Sequence, residues 1–142
     1  MQALAQRLAD TCRPPATIGL DGTLGSGKTQ FVRFFAEALG VSAEDVTSPT
    51  YVLLQRYTGT QVVYHFDFYR LEREEQVWDL GIDELEAQPV YVIAEWASKF
   101  PGCLADDRVM IRFELSEQQR EATISSTGPA SDSVVELLTR SE

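Results

Sequence analysis

Residues 22–29 read Gly-Thr-Leu-Gly-Ser-Gly-Lys-Thr, and they constrain the fold more than any other stretch of the chain. Two glycines separated by four free positions and followed by Lys and Thr form a phosphate-binding pattern. The glycines let backbone N–H groups turn inward toward phosphate oxygens. Lys28 supplies a positive charge for the β- and γ-phosphates, and the Thr29 hydroxyl can bind Mg²⁺. We therefore expect nucleotide contacts from Leu24, Gly25, Ser26, Gly27, Lys28, Thr29 and Gln30.

The residues on either side of this glycine-rich loop (residues 22–29) favour the same interpretation. Residues 17–21 form a short β-branched and apolar run, which predicts a buried strand. After the loop, apolar residues recur at helical spacing, and Gly40 follows where a helix often ends. A glycine-rich turn that matched the phosphate-binding pattern by accident would not need a strand before it or a helix after it. The order of strand, loop and helix predicts an α/β fold with a nucleotide site.

The composition bounds the class of protein. With 142 residues, we expect one domain over residues 1–142, and the glycine-rich loop predicts that it is a P-loop ATPase domain. The net charge of −10 gives little attraction for nucleic acid, so direct, tight RNA binding is not expected. No apolar run approaches the ~20 residues that span a bilayer, so no membrane segment is expected. The start does not resemble a secretory signal, and the isolated Cys12 and Cys103 fit a reducing cytoplasm.

Two acidic residues follow apolar runs in positions typical of an active site. Residues 61–66 form a strand-like run that leads to Asp67, and residues 90–94 form an apolar run that leads to Glu95. Ligands bind α/β sheets at the carboxyl ends of the strands. Either acid could hold Mg²⁺, directly or through water, or orient an attacking water. A structural ion pair is the alternative for Glu95.

Three further features leave alternatives open. His65 is the only histidine, and a structural role with satisfied hydrogen bonds competes with a catalytic one. The hydroxyl-rich residues 41–50, which include Thr50, are either a helix-to-strand connector or a loop that senses the γ-phosphate. Arg70 and Arg120 are candidates for an arginine finger, but nothing in the sequence supports either one.

Hydrophobic spacing predicts the remaining elements. We expect helices over residues 1–11, 71–80 and 82–87, a hairpin of residues 51–57 and 61–66, and strands over residues 90–94, 109–114 and 121–126. A capping box at residues 133–136 predicts the start of a C-terminal helix.

The motifs together are more specific than the loop alone. After the glycine-rich loop come Ser-Pro-Thr-Tyr (residues 48–51), His-Phe-Asp-Phe-Tyr-Arg (65–70), Leu-Gly (80–81) and Glu-Trp (95–96). In this order and spacing the chain resembles the TsaE (YjeE) family of small bacterial P-loop ATPases, which are needed to make threonylcarbamoyladenosine in tRNA. The resemblance covers residue 1 to about residue 126. It implies a P-loop NTPase-like three-layer fold with a mixed, mostly parallel sheet, ATP as nucleotide and Mg²⁺ as metal. It also implies a TsaB–TsaD heterodimer as partner, whose turnover depends on ATP hydrolysis, with tRNA reached only indirectly.

The resemblance also implies roles for individual residues. Thr29 and Glu95 match the Mg²⁺ ligands, with Asp67 as the other acid of the metal site. Residues 48–51, including Thr50, match the sensor loop, and Trp96 would lie against the nucleotide. The implied catalytic residues are Lys28, Asp67 and Glu95.

The chain departs from the family pattern at two positions. Met1 stands where relatives usually carry a Thr that touches the nucleotide, which predicts a weaker contact with the base. Ser26 replaces a usual Ala, a change that the loop should tolerate. Two other functions remain open at this point: a small-molecule P-loop kinase and a nucleotide-gated binding module. A kinase would need an acceptor pocket and usually a lid with arginines, and the chain has no Arg-rich segment for one.

Overall fold

The structure is a computed structural model, and it describes residues 1–23, 25–46, 53–117 and 119–140. The helices are α1 (Gln2–Thr11), α2 (Lys28–Ala38), α3 (Glu74–Asp79), α4 (Ile82–Glu86) and α5 (Pro129–Arg140). The strands are β1 (Ala16–Gly22), β2 (Leu54–Thr58), β3 (Val62–Asp67), β4 (Tyr91–Glu95), β5 (Val109–Ser116) and β6 (Gln119–Ser126). Three short 3₁₀ turns lie at Ala43–Asp45, Ala97–Lys99 and Pro101–Cys103.

Within the described residues, the strands form one six-stranded sheet in the order β2-β3-β4-β1-β5-β6. The four central strands, β3, β4, β1 and β5, are parallel, and the two edge strands, β2 and β6, are antiparallel to their neighbours. The predicted α/β fold with a mixed, mostly parallel sheet is therefore confirmed, as is the hairpin of β2 and β3.

The register of the central strands brings three carboxyl ends together. Glu95 on β4 pairs with Leu20 on β1 on one side and with Asp67 on β3 on the other side. β1 then ends at Gly22, where the glycine-rich loop begins. The loop and both acidic residues consequently leave the sheet at the same edge.

Helices cover both faces of the sheet, which gives the three layers. Along β4, Tyr91 and Ile93 belong to one buried apolar cluster, whereas Val92 and Ala94 belong to a second one. This alternation is the two-residue period of a strand that is buried on both sides. The first cluster includes buried residues of α1, α2 and α5, and the second includes Val77 of α3 and Ile82 of α4.

The end of α2 follows from one glycine. Gly40 has a φ of 87°, which is in the left-handed region that favours glycine. Its N–H donates to Glu37 O (3.0 Å), and Val41 N–H donates to Ala36 O (3.0 Å). These two bonds form the Schellman motif that commonly terminates a helix.

Two predicted helix starts are wrong. The helix expected from residue 71 begins at Glu74, because the Gln76 side-chain oxygen accepts from Glu72 N–H (2.7 Å) and Arg73 N–H (3.0 Å) and so caps the helix there. The C-terminal helix begins at Pro129, ahead of the predicted capping box.

The start of α5 depends on a residue that is distant in sequence. Asp107 accepts hydrogen bonds from Ala130 N–H (2.8 Å) and Ser131 N–H (2.9 Å), which are donors in the first turn of α5. Pro129 lacks an N–H and suits the first helical position. Ser133 therefore lies inside the helix, where its hydroxyl donates to Pro129 O (3.2 Å).

The predicted strands are confirmed with adjusted ends. β5 and β6 extend past the predicted residues 109–114 and 121–126. Residues 47–52 lie outside the described residues, so the hydroxyl-rich loop remains a prediction. In the described ranges, none of the helices has the length and apolar character needed to cross a membrane.

Candidate nucleotide site

A cavity of about 510 Å³ opens where the glycine-rich loop, β3 and β4 meet. Eight of the residues predicted to form the site line it: Gly25, Gly27, Lys28, Thr29, Gln30, Asp67, Glu95 and Trp96. Ser26, although part of the loop, is fully buried and does not line the cavity. Leu24 and Thr50 lie outside the described residues, so their predicted contacts stay predictions.

The path of the glycine-rich loop requires glycine at its first position. Gly22 has a φ of 139°, and a Cβ at this position would lie 2.6 Å from the backbone oxygen of Phe113 and 2.5 Å from Ser26 Oγ. Any side chain here would push the loop away from β5. Gly27 (φ 113°) precedes the first residue of α2, so the amino end of α2 faces the cavity. Helix amino ends favour bound anions.

The Lys28 ammonium lies across the loop. Its Nζ donates to Gly22 O (2.5 Å) and Thr23 O (3.0 Å), and it lies 4.1 Å from the centre of the Trp96 ring. Burial lowers the pKa of Lys28, and this shift is opposed by nearby carboxylates, the largest contribution coming from Glu95. A positive charge is thus held where an anionic ligand would enter.

Thr29 and Glu95 contact each other although they are far apart in sequence. The Thr29 hydroxyl lies 3.0 Å from both carboxylate oxygens of Glu95. Glu95 is only 4% exposed, and its Oε2 lies 2.6 Å from Nε2 of His65. The strand-end ion pair that was the alternative for Glu95 would therefore involve His65.

Asp67 completes the group of charged side chains at this edge. Its Oδ1 accepts from Tyr69 N–H (2.9 Å), which orients the carboxyl group. Burial raises the pKa of Asp67, the Tyr69 hydrogen bond opposes this rise, and the charge of Glu95 adds to it. A carboxylate with a raised pKa beside a second carboxylate can act as a base toward water.

Trp96 follows β4 in an unusual backbone conformation. Its φ of 59° and ψ of 40° are in the left-handed region, which few residues other than glycine adopt. The indole packs against the Tyr69 ring, with ring centres 4.8 Å apart and the ring planes tilted by 39°. This conformation places the indole beside the cavity, next to Lys28.

Four further residues line the cavity; the sequence had singled out Met1 and Arg120 but had not predicted contacts from Phe34 or Tyr69. Met1, Phe34, Tyr69 and Arg120 line it. Phe34 is half-buried and packs against the core cluster that includes buried residues of α2. Arg120 reaches the site from β6, whereas Arg70, the other arginine-finger candidate, is exposed and does not line the cavity.

The chemistry of these side chains fits a nucleotide with Mg²⁺. The Thr29 hydroxyl and the carboxylates of Glu95 and Asp67 are hard oxygen ligands, which Mg²⁺ prefers. Within the described ranges, no group of three or more His, Cys, Asp or Glu side chains is placed to hold a metal by itself. Mg²⁺ in nucleotide sites usually takes one or two carboxylates together with phosphates and water.

Known proteins resemble the chain over most of its length. A family model described as Threonylcarbamoyl adenosine biosynthesis protein TsaE matches residues 1–123. The tRNA threonylcarbamoyladenosine biosynthesis protein TsaE of Bacillus subtilis (strain 168) is 34% identical over 98% of this chain and 87% of its own length. The protein of the same description from Treponema pallidum (strain Nichols) is 32% identical over 88% of this chain and all of its own length.

A solved structure supports the same relationship. A crystal structure of YdiB from Bacillus subtilis superposes with a TM-score of 0.80 at 29% sequence identity. The match covers 99% of this chain and 87% of that one. The chain therefore belongs to the TsaE family of proteins for the biosynthesis of threonylcarbamoyladenosine in tRNA.

Proposed function

We propose that the chain binds ATP with Mg²⁺, hydrolyses it slowly alone, and couples hydrolysis to turnover of a TsaB–TsaD complex. One observation carries the proposal: Lys28, Thr29, Asp67 and Glu95 come from three separate segments and line one cavity. Lysine, a hydroxyl and two carboxylates are the groups that phosphoryl-transfer sites use. A structural ion pair alone would not require the glycine-rich loop beside it.

In this proposal each group has a distinct role. Lys28 binds the β- and γ-phosphates, and Thr29 and Glu95 hold Mg²⁺, with Asp67 beside them. Bound Mg²⁺ would neutralise phosphate charge in the transition state. Asp67 orients the attacking water and accepts its proton, as its raised pKa favours.

The charge of the chain supports an indirect relation to tRNA. With a net charge of −10, the chain would reach tRNA chemistry through the partner complex. We place this activity in the cytoplasm, since Cys12 and Cys103 are both buried free thiols, which suit a reducing compartment.

Hydrolysis with and without partner tests the proposal. Phosphate release should be slow for the chain alone and faster with TsaB–TsaD. Lys28→Ala should bind ATP about 10- to 100-fold more weakly, because a hydrogen bond to a charged group contributes ~1.5–3 kcal/mol. The matched control is Lys99→Ala, which removes the only other lysine, an exposed residue outside the cavity.

Normal turnover by a folded Lys28→Ala variant would refute the site. Transfer of phosphate to a small molecule, instead of release to water, would support the kinase alternative. Binding without any hydrolysis, even with partner, would leave a nucleotide-gated binding module.

The metal ligands are tested by comparing nucleotide affinity with and without Mg²⁺. Thr29→Ala and Glu95→Gln should each weaken binding in Mg²⁺ and have little effect in EDTA, because each removes an oxygen ligand and leaves the loop intact. Thr29→Ser keeps the hydroxyl and is the matched control. Equal losses in both conditions would indicate a damaged fold instead.

Coupling to the partner is tested with nucleotide analogues. We expect TsaB–TsaD to bind more tightly in the presence of a non-hydrolysable ATP analogue than in ADP, and linkage requires an equal effect of partner on nucleotide affinity. Thr50→Ala should abolish the difference if the loop of residues 47–51 senses the γ-phosphate. Equal affinities in both nucleotides would refute the switch, and a preference that survives Thr50→Ala would assign it to another segment.

A further inference from the structure

A network of two buried hydrogen bonds links side chains on three neighbouring strands and ends at the carboxylate of Glu95. Tyr57 Oη on β2 lies 3.0 Å from Nδ1 of His65 on β3, and His65 Nε2 lies 2.6 Å from Oε2 of Glu95 on β4. Tyr57 is 3% exposed, His65 is fully buried and Glu95 is 4% exposed. This hydrogen-bond network thus lies beneath the site and is almost completely shielded from solvent.

The register of the strands explains why these side chains meet. Tyr57 pairs with Val63, two residues before His65, and Asp67, two residues after His65, pairs with Glu95. Residues two apart on a strand share a face, so Tyr57, His65 and Glu95 all point toward α2. This is also the face on which α2 brings Thr29 to Glu95.

The chemistry of the partners sets the direction of each hydrogen bond. An ionised carboxylate only accepts, so Nε2 of His65 carries the proton that is shared with Glu95. In a neutral imidazole Nδ1 then accepts from the Tyr57 hydroxyl, which fixes the tautomer. Both ring nitrogens are satisfied, and the ring cannot flip without losing both bonds.

Packing alone does not explain a histidine at this position. Its neighbours on this face include Val63 and Ile93, which are fully buried apolar residues. Burial of an imidazole costs free energy unless its nitrogens are hydrogen-bonded, whereas an aliphatic side chain would carry no such cost. The ring instead provides a directed N–H for one oxygen of a carboxylate.

We propose that His65 and Tyr57 are positioning residues that hold the Glu95 carboxylate in the orientation in which it binds Mg²⁺. This inference rests on the proposed function. His65 fixes Oε2, and Tyr57 fixes the ring of His65. Hydrogen-bond partners of metal ligands of this kind typically contribute 10- to 100-fold to metal affinity.

The test compares ADP affinity in Mg²⁺ with ADP affinity in EDTA, measured by calorimetry. His65→Leu removes the imidazole N–H and fills the same buried position with an apolar side chain. We expect the Mg²⁺-dependent gain in affinity to fall about 10- to 100-fold, and affinity in EDTA to stay within about twofold of the native value. His65→Gln keeps an N–H donor and should recover part of the gain.

Tyr57→Phe is the mildest variant, because it removes one hydroxyl and keeps the ring beside His65 (centres 5.8 Å apart). We expect a smaller fall in the Mg²⁺-dependent gain than for His65→Leu. Since His65 is the only histidine, ¹⁵N spectra of the untagged chain report this ring alone. The native chain should show the Nε2–H tautomer, and Tyr57→Phe should loosen that preference.

The outcomes separate this inference from the proposed function. A native chain whose ADP binding does not respond to Mg²⁺ would overturn both. A native response that His65→Leu leaves unchanged, or a loss that is equal in Mg²⁺ and EDTA, would overturn the positioning role only. If His65→Leu does not fold, His65→Gln and Tyr57→Phe test the positioning role in its place. A native-like Mg²⁺ response in both variants would refute that role. An Nδ1–H tautomer of His65 in the native chain would refute it as well.

Discussion

The backbone of Trp96 offers a sharp test of the local structure. Its φ of 59° and ψ of 40° place a large residue in the left-handed region. Trp96→Ala and Trp96→Gly both remove the indole, so both lose the contacts with Lys28 and Tyr69 to the same extent. The two variants differ only in the Cβ atom, and their difference in stability reports the backbone strain.

The expected magnitude follows from two opposing contributions. A Cβ atom in the left-handed region costs ~1–2 kcal/mol. Glycine loses more backbone freedom on folding, which costs the Gly variant ~0.4–1 kcal/mol relative to Ala. The strain is the larger contribution, so Trp96→Gly should be more stable than Trp96→Ala by about 0.5–1 kcal/mol. At an ordinary position the order is reversed.

Urea unfolding of both variants measures this difference, provided that the slopes with denaturant agree. Ala3, an exposed residue of α1, supplies the control, since Ala3→Gly should destabilise the chain by ~0.5–1 kcal/mol. If Trp96→Ala is as stable as Trp96→Gly or more stable, residue 96 does not hold the left-handed conformation in solution. The placement of the indole beside Lys28 would then be wrong as well.

Three further predictions use other parts of the fold. Trp78→Phe leaves Trp96 as the only tryptophan, so the fluorescence of this variant reports Trp96 alone. The fluorescence should change on binding of ATP with Mg²⁺, because the phosphates draw Lys28 away from the indole ring. An unchanged spectrum at saturating ATP would place Trp96 away from the nucleotide. Asp107→Ala should lower the free energy of unfolding by ~1 kcal/mol at neutral pH. Because the Ser131 hydroxyl holds the pKa of Asp107 below its usual range, this loss of stability should shrink as the pH falls below about 4 and the native carboxylate protonates. A loss that stays constant with pH in urea unfolding would contradict this. Burial raises the pKa of Cys12 from 9.0 to about 11, so the native chain should lose roughly 2–3 kcal/mol of stability as the pH rises from about 9 to 11. The stability of Cys12→Ala should fall less steeply over this range, and an equal fall in both proteins would refute the prediction.

Short-range patterns predicted most of the fold. The run at residues 90–94 became a fully buried strand, and the glycine-rich loop connects a strand to a helix as its flanks indicated. These features depend on residue spacing within a single element, which the sequence states directly. The start of α5 was wrong because its cap, Asp107, lies on another segment. A local capping pattern does not reveal a cap of that kind.

The sequence predicted those residues of the site that belong to motifs, but not those that strand pairing brings to the cavity. Lys28 was identified from the glycine-rich motif, and Asp67 and Glu95 from their positions at the ends of apolar runs; all three line the same cavity. Arg120 reaches the same cavity only because β6 folds back along β5, a pairing that no motif encodes. Likewise, the two roles left open for His65 could not be separated until its hydrogen bonds to Tyr57 and Glu95 were visible.

The order of the strands also has a consequence for synthesis on the ribosome. β1, which leads into the glycine-rich loop, pairs with β4 and β5 and not with the strands that are made in between. About 70 residues separate the end of β1 from the end of β4, which takes roughly 4–14 s to translate at ~5–20 residues per second. Throughout that interval the apolar side chains of Ile18 and Leu20 have no neighbouring strand. A nascent chain that stops before Tyr91 carries the complete phosphate-binding motif but lacks β4, the strand that pairs with β1 and carries Glu95.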